Sequence, residues 1–145
     1  MITDKHLKIL NQLRKNSRKS LVVISRETNI KVPEIYSLID DLLNKGILKR
    51  CTSIINHEDI GYGFNILFNV ESNSPKEFED YIKSSNNINN AFLLSKSNFT
   101  LQCYFKDMNE IEKFKDALKY SNIVNSFTDH YVLDTLRQED FYLNN

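Results

Sequence analysis

Residues 20–46, SLVVISRETNIKVPEIYSLIDDLLNKG, contain the pattern that decides the fold of the first third of the chain. Apolar side chains recur at every third or fourth position before and after Asn29, which is the period of helices with one buried face. Ser20 is a candidate N-cap for the earlier helix, and Pro33 suits the first turn of the later one, which Gly46 ends. Two short helices joined by a turn of about four residues make a helix-turn-helix arrangement.

A third helix precedes this pair, because Leu7, Leu10 and Leu13 also recur at helical spacing. Residues 47–55 are rich in apolar and β-branched side chains and are followed by a break at Asn56. They therefore predict a strand that serves as a small wing and a linker. The alternative interpretation of the whole region is a plain three-helix packing unit that binds no partner.

From Phe64 onward the apolar period changes from about 3.6 to about 2 residues, which is typical of a strand with one buried face. Capping signatures that begin at Ser74 and Asp107 predict two helices between strands. The predicted order is β-α-β-β-α-β, two similar halves in the ferredoxin-like arrangement. One face of such a sheet lies under the helices and the other needs a cover. A second copy of the chain is the usual cover, so we expect a homodimer or a higher oligomer.

These patterns together predict an α+β protein, with a winged helix-turn-helix followed by a ferredoxin-like βαββαβ domain. The expected boundaries are residues 1–50 for the helix-turn-helix domain, 51–62 for the wing and linker strand, and 63–145 for the ferredoxin-like domain.

Charge and composition narrow the class of function. The 145 residues have no formal net charge, but up to Tyr62 there are 11 basic and seven acidic side chains, and after it 8 and 12. This division predicts that the first domain faces a polyanion. No apolar run approaches the ~20 residues that a bilayer span needs, and no signal-peptide core follows Met1. We therefore expect a cytoplasmic protein without membrane contact.

The histidines, cysteines and glycines show no pattern typical of a catalytic site, a metal site or a cofactor site. His6, His57 and His130 lie in different elements, and Cys51 and Cys103 are 52 positions apart, which is neither a metal-ligand spacing nor a redox pair. Three glycines in the chain leave no phosphate-binding glycine loop. We therefore expect no catalytic residue, no bound metal and no cofactor.

Over its first sixty or so positions the chain carries short motifs whose order and spacing are more specific than any one of them. They are Thr3-Asp4, Ile9-Leu10, Leu13, Arg18, Ser20, Ile24-Ser25, Ile35-Tyr36, Ile39, Leu42, Gly46-Ile47-Leu48, Asn56 and Ile60-Gly61-Tyr62. With the βαββαβ half that follows, the sequence resembles the Lrp/AsnC (feast/famine) regulators of bacteria and archaea. The resemblance implies a DNA-binding transcriptional regulator with a RAM-type second domain that oligomerises and senses a small, amino-acid-like ligand.

Candidate contacts with double-stranded DNA lie at the turns, on the third helix and on the wing. They are Arg18, Lys19, Ser20, Lys31, Pro33, Glu34, Tyr36, Ser37, Lys49 and Arg50. The cations suit phosphates, Tyr36 and Ser37 lie opposite the apolar face of their helix, and Glu34 can accept from a cytosine amino group. Unlike the family pattern, residues 33–45 carry a net charge of −2, which weakens attraction to the DNA backbone.

The effector loop of the family maps onto Ser95, Asn98 and Phe99. The family has glycine where this chain has Ser95, and a carboxylate where it has Asn98. Because an amide binds an ammonium group less strongly than a carboxylate does, this departure predicts a weakened amino-acid site or a different ligand.

Two other interpretations stay open. The acidic third helix also fits a family member that does not read DNA and that assembles with a paralogue to alter the DNA binding of that partner. An enzyme similar to sirohaem decarboxylases would need His and Arg side chains in the second domain, and the sequence offers His130 and Arg137.

Overall fold

A computed structural model of the protein describes residues 2–143 and divides them into two compact units. The first unit comprises the residues up to Ile54 together with those from Leu136 onward, and the second runs from Ile55 to Thr135. The first unit contains three helices, as predicted: α1 (Asp4–Lys15), α2 (Leu21–Thr28) and α3 (Val32–Asn44).

The turn between α2 and α3 forms as its residues require. The Ser20 hydroxyl accepts a hydrogen bond from the Val23 N–H at 3.3 Å and so caps α2. Asn29 ends α2 in the left-handed conformation, with φ 59°, and a proline follows in the first turn of α3. Four isoleucines form a small buried core beside this turn. One comes from each of the three helices and one from the turn: Ile9, Ile24, Ile35 and Ile30.

The strand predicted for residues 47–55 is wrong. Residues 47–56 have no regular structure, and all of them except the partly buried Leu48 are exposed. A short 3-10 helix, Glu58–Ile60, follows. A β-prone stretch forms a strand only when another strand supplies its hydrogen-bond partners, and within residues 2–143 none pairs with it. The exposed apolar side chains of this stretch include Ile47, Ile54 and Ile55.

The second unit has the predicted ferredoxin-like order. Its elements are β1 (Phe64–Ser72), α4 (Pro75–Ser84), β2 (Ile88–Leu93), β3 (Asn98–Phe105), α5 (Met108–Lys119) and β4 (Val124–Tyr131). The strands form one antiparallel sheet in the order β2-β3-β1-β4, so the two strands that begin each half lie at its centre.

One face of the sheet and the two helices enclose an aromatic core around Phe68. In β1, Phe68 is fully buried opposite Leu101 of β3, and its ring lies 5.0 Å from the ring of Phe114 on α5. The rings of Phe105 and Phe127 lie within 6.3 Å of the same side chain. Burial of these rings is the main favourable term in the folding of this unit.

Asp129 and His130 are neighbours on β4, but their side chains lie on opposite sides of the strand. Asp129 accepts from the Lys115 ammonium of α5 at 2.9 Å, and this hydrogen bond raises the pKa of Lys115. His130 is exposed, on the other side of the strand. No helix within residues 2–143 is long and apolar enough to cross a membrane.

The two cysteines differ in burial, and their reactivity should differ in the same way. Burial in the core raises the pKa of Cys103 to about 12, whereas Cys51 is exposed. We expect Ellman's reagent to modify one thiol per chain at neutral pH and the second only after urea unfolding. A Cys51→Ser variant should lose the fast reaction, and fast modification of that variant would contradict the buried position of Cys103.

Candidate nucleic-acid interface

The outward face of α3 is formed by Pro33, Tyr36, Ser37 and Asp40, which recur at helical spacing and are all exposed. The opposite face holds Ile35 in the isoleucine core, fully buried. The exposed fraction of Tyr36 is 62%, which is high for an aromatic side chain. The helix thus presents two hydroxyl groups, a proline ring and one carboxylate to solvent.

The negative charge of α3 is largely neutralised inside the first unit. The Lys5 ammonium lies 2.5 Å from Glu34 Oε1, and the Lys45 ammonium lies 2.5 Å from Asp41 Oδ2. This contact with Lys45 is the main reason why the pKa of Asp41 is lowered. Asp40 forms no ion pair with any residue between 2 and 143 and is the one carboxylate of α3 left to face solvent alone.

His6 is a buried polar residue that the sequence did not single out for this role. The Thr3 N–H donates to His6 Nδ1 at 3.2 Å, so the imidazole proton is assigned to Nε2. Nε2 then donates to Asp41 Oδ2 at 3.0 Å. The ring caps α1 at its start and links it to α3. The sequence did carry one signal for this role of His6. His6 lies three residues after the N-cap Thr3, the position from which a side chain can accept a hydrogen bond from the N-cap N–H.

The predicted phosphate-binding cations divide into two groups. Arg18, Lys31, Lys49 and Arg50 are exposed, and none forms an ion pair among the described residues. Lys19 is engaged, because its ammonium lies 2.7 Å from both Glu27 Oε2 and Gln12 Oε1. Its side chain is only 18% exposed, so it joins α1 to α2.

The three predicted effector residues do not form one cluster. Asn98 Nδ2 donates to Ser95 Oγ at 2.7 Å, and the Asn98 carbonyl accepts from the Leu94 N–H at 2.8 Å, which closes the loop between β2 and β3. Phe99 points into the core instead, where its ring lies 5.0 Å from that of Phe78.

Phe99 also contributes to a cavity of about 170 Å³ between α4 and β2. Its other lining residues are Glu79, Ile82, Lys83, Ala91, Phe92 and Leu93. The cavity is therefore apolar, with an acidic and a basic side chain of α4 one helical turn apart. Such a site suits a small molecule that has an apolar part and both charges.

The outer face of the sheet, which the helices do not cover, is almost free of charge. Register places these side chains on it: Asn65, Leu67, Asn69, Glu71, Asn90, Phe92, Asn98, Thr100, Gln102, Tyr104, Ser126, Thr128 and His130. Glu71, at the end of β1, is the one carboxylate among them, and it accepts from Asn125 and Ser126. Several of these hydrogen-bond to one another, for example Thr100 Oγ1 to Asn69 Oδ1 at 2.7 Å. In a chain of which 26% is charged, such a face is unusual for a surface left in contact with water.

The side chains that an enzyme interpretation requires are not in the same unit. Arg137 belongs to the first unit, where its Nε lies 3.2 Å from Asp140 Oδ2, and His130 belongs to the second. Within residues 2–143 no group of three His, Cys, Asp or Glu side chains is placed to hold a metal ion.

Comparison with known proteins gives consistent matches. The family model "winged helix-turn-helix DNA-binding" matches residues 2–49. The HTH-type transcriptional regulator LrpA of Bacillus subtilis is 26% identical over 127 residues, which are 84% of this chain and 93% of LrpA. An uncharacterised HTH-type transcriptional regulator of Pyrococcus abyssi is 26% identical over 146 residues, covering 99% of each chain.

Two solved structures share the fold over almost the whole chain. A Neisseria meningitidis transcriptional regulator in complex with L-Met has a TM-score of 0.86 at 21% identity and covers 99% of this chain and 97% of its own. B. subtilis LrpC has a TM-score of 0.83 at 18% identity, with 94% and 98% covered.

The link from His6 to Asp41 should contribute to the stability of the first unit. His6→Phe keeps a ring but removes the hydrogen bonds to the Thr3 N–H and to Asp41, so we expect it to lower the free energy of unfolding by about 1–3 kcal/mol in urea titrations. Asp41→Asn should also destabilise the unit at neutral pH. Because the pKa of Asp41 is lowered from 3.8, its contribution is present above that pH and is lost as the pH falls further. Asp40→Asn is the matched control, and an equal loss in that variant would contradict the assignment.

Proposed function

We propose that the chain is a transcriptional regulator of the Lrp/AsnC family and that it binds double-stranded DNA through the outward face of α3. The observation that carries this proposal is the division of α3 into a face held by the isoleucine core and a face of exposed hydroxyl groups with a proline. The second helix of a helix-turn-helix pair contacts base edges with such a face. Because such a regulator acts on DNA, the proposed location of the protein is the cytoplasm.

Tyr36 and Ser37 are the proposed base-reading residues. Both are exposed, and a hydroxyl group donates or accepts according to the base edge it meets. Glu34 is less suited to the cytosine contact expected from sequence, since its carboxylate already accepts from Lys5. Pro33 would fix the start of the helix against the groove.

Arg18, Lys31, Lys49 and Arg50 are the proposed phosphate contacts, because each is exposed and free of ion pairs among the described residues. Lys31 also precedes the first turn of α3, where unpaired N–H groups and the helix dipole favour an anion. Lys19 and Ser20 are proposed to position this region and not to contact phosphates themselves. Lys19 joins α1 to α2, and Ser20 caps α2.

The second part of the proposal is a dimer formed through the outer face of the sheet. Amide and hydroxyl groups that pair within the chain keep spare donors and acceptors for a second copy, and no charge at the centre of the face has to be desolvated. A dimer places two reading helices on one duplex, as the symmetry of paired half-sites requires.

The third part is a small ligand with an apolar part and both charges. The L-Met complex of the structurally similar Neisseria meningitidis regulator supports an amino acid as the class of ligand. In this chain Ser95 and Asn98 offer hydroxyl and amide groups at the loop after β2, and Phe99 is part of the nearby cavity. Glu79 would face the ammonium group and Lys83 the carboxylate.

A family member that does not read DNA is the second candidate. The exposed carboxylate of Asp40 and the lack of any cation on the outward face of α3 favour it, because phosphates repel a carboxylate. Under this candidate, native protein would bind its own upstream DNA and a scrambled duplex equally weakly, and Asp40→Arg would create binding.

DNA binding is tested by fluorescence anisotropy on the upstream duplex and a scrambled one, from low to physiological salt. We expect Tyr36→Ala to lower the affinity for the upstream duplex about tenfold and to leave the scrambled duplex almost unaffected. Arg50→Ala should weaken both and reduce the slope of log K against log salt by about 0.9. Tyr120→Ala, an exposed tyrosine after α5, is the control. If Tyr36→Ala and Tyr120→Ala behave alike, α3 is not the reader.

Dimerisation is tested by light scattering after size exclusion. Asn69→Arg puts a charge on the central strand of the outer face, which a second copy would have to desolvate, so we expect the variant to elute as a monomer at micromolar concentration. Glu112→Arg, on the exposed side of α5, should leave the dimer intact. A dimer that survives Asn69→Arg would place the interface elsewhere.

A further inference from the structure

A stretch near the end of the chain lies against α1 within the first unit. We name residues 137–143 the returning segment, because the chain comes back to the first unit after β4. Asn11 of α1 is only 7% exposed, and both polar atoms of its side chain bind the backbone of Leu143. Nδ2 donates to the Leu143 carbonyl at 2.8 Å, and Oδ1 accepts from the Leu143 N–H at 3.0 Å.

Two more residues on the same side of α1 continue these contacts. Arg14 donates from Nε to the Phe141 carbonyl at 2.9 Å and from Nη2 to the Glu139 carbonyl at 3.1 Å. The Lys15 ammonium lies 5.8 Å from the centre of the Tyr142 ring. Asn11, Arg14 and Lys15 are three and four positions apart, so they form one surface, which we call the α1 dock.

The α1 dock recognises mainly backbone and charge. Its hydrogen bonds go to alternate residues of the returning segment, at positions 139, 141 and 143. The basic end of α1 meets an acidic side chain, since Arg14 Nη2 also lies 3.6 Å from Glu139 Oε2. These features fit an extended peptide that has acidic residues followed by aromatic ones.

The docked segment is only weakly held. Phe141 and Tyr142 stay 71% and 55% exposed, so docking buries little apolar surface. Each hydrogen bond contributes a modest net free energy, and each ordered residue costs a comparable amount of conformational entropy. The two terms nearly cancel, and such a segment populates docked and released states.

We propose that the α1 dock is a peptide-binding site whose occupant is the returning segment of this chain, held reversibly. The chain passes from the first unit to the second near Ile54 and comes back near Leu136. While the segment is docked, Arg14 is occupied and is withheld from any polyanion.

Hydrogen exchange of the Leu143 amide in the full chain tests this proposal without DNA, so its result does not depend on the proposed function. We expect exchange about tenfold slower than in an unstructured peptide, the value for a segment docked nine-tenths of the time. Asn11→Leu should remove the protection, while Lys8→Ala, on an exposed position of α1, should keep it.

Each remaining outcome overturns the proposal. Absence of protection in the native chain would mean that the dock is unoccupied. Exchange as slow as that of the β1 core amides would mean that docking is permanent. Equal protection in Asn11→Leu, with helical circular dichroism unchanged, would mean that the segment is held by other residues.

Discussion

The imidazole of His6, held between the Thr3 N–H and the Asp41 carboxylate, is the interaction on which the first unit depends. It joins the start of α1 to the last turns of α3 and thereby fixes the rotation of α3 about its own axis. With that rotation set, Asp41 faces α1 and Tyr36 faces solvent. A carboxylate that would repel DNA thus becomes part of the scaffold, and the proposed DNA-reading face keeps its hydroxyl groups.

In both units, buried polar side chains hydrogen-bond to the backbone of segments that are distant in sequence. Asn11 holds the returning segment, and Ser72 of β1 donates from Oγ to the Ile123 carbonyl at 2.6 Å while accepting from the Ser74 N–H. Among the described residues no buried side-chain polar atom lacks a partner. Because the isoleucine core of the first unit is small, directional hydrogen bonds are what select one arrangement of its helices.

Periodicity predicted the elements of both units, since each helix or strand carries its own local signal. Phe99 was within reach of the same reasoning, because it alternates inward with Leu101 and Cys103. Three features had no local signal: the lack of a partner for residues 47–55, the ion pair of Glu34 with Lys5, and the return of residues 137–143 to α1. Each depends on residues distant in sequence, whereas the pair of Asp41 with Lys45, four positions apart on one helix, was readable from the sequence.

The electrostatics of α3 place a requirement on assembly. If α3 reads DNA as proposed, one helix-turn-helix unit with four free cations and an outward Asp40 would gain little from counterion release at α3 itself, and its affinity for a single half-site would be low. In the proposed dimer, linking two such units through a sheet face of low charge would make the second contact intramolecular and would raise the overall affinity without adding cations. A weak non-specific attraction to DNA then favours discrimination between sequences. Phosphate contacts contribute equally to the binding free energy at every site, and here that contribution is small. In this proposal the low charge of the sheet face favours the dimer, and the dimer compensates for the weak attraction of α3 to phosphates.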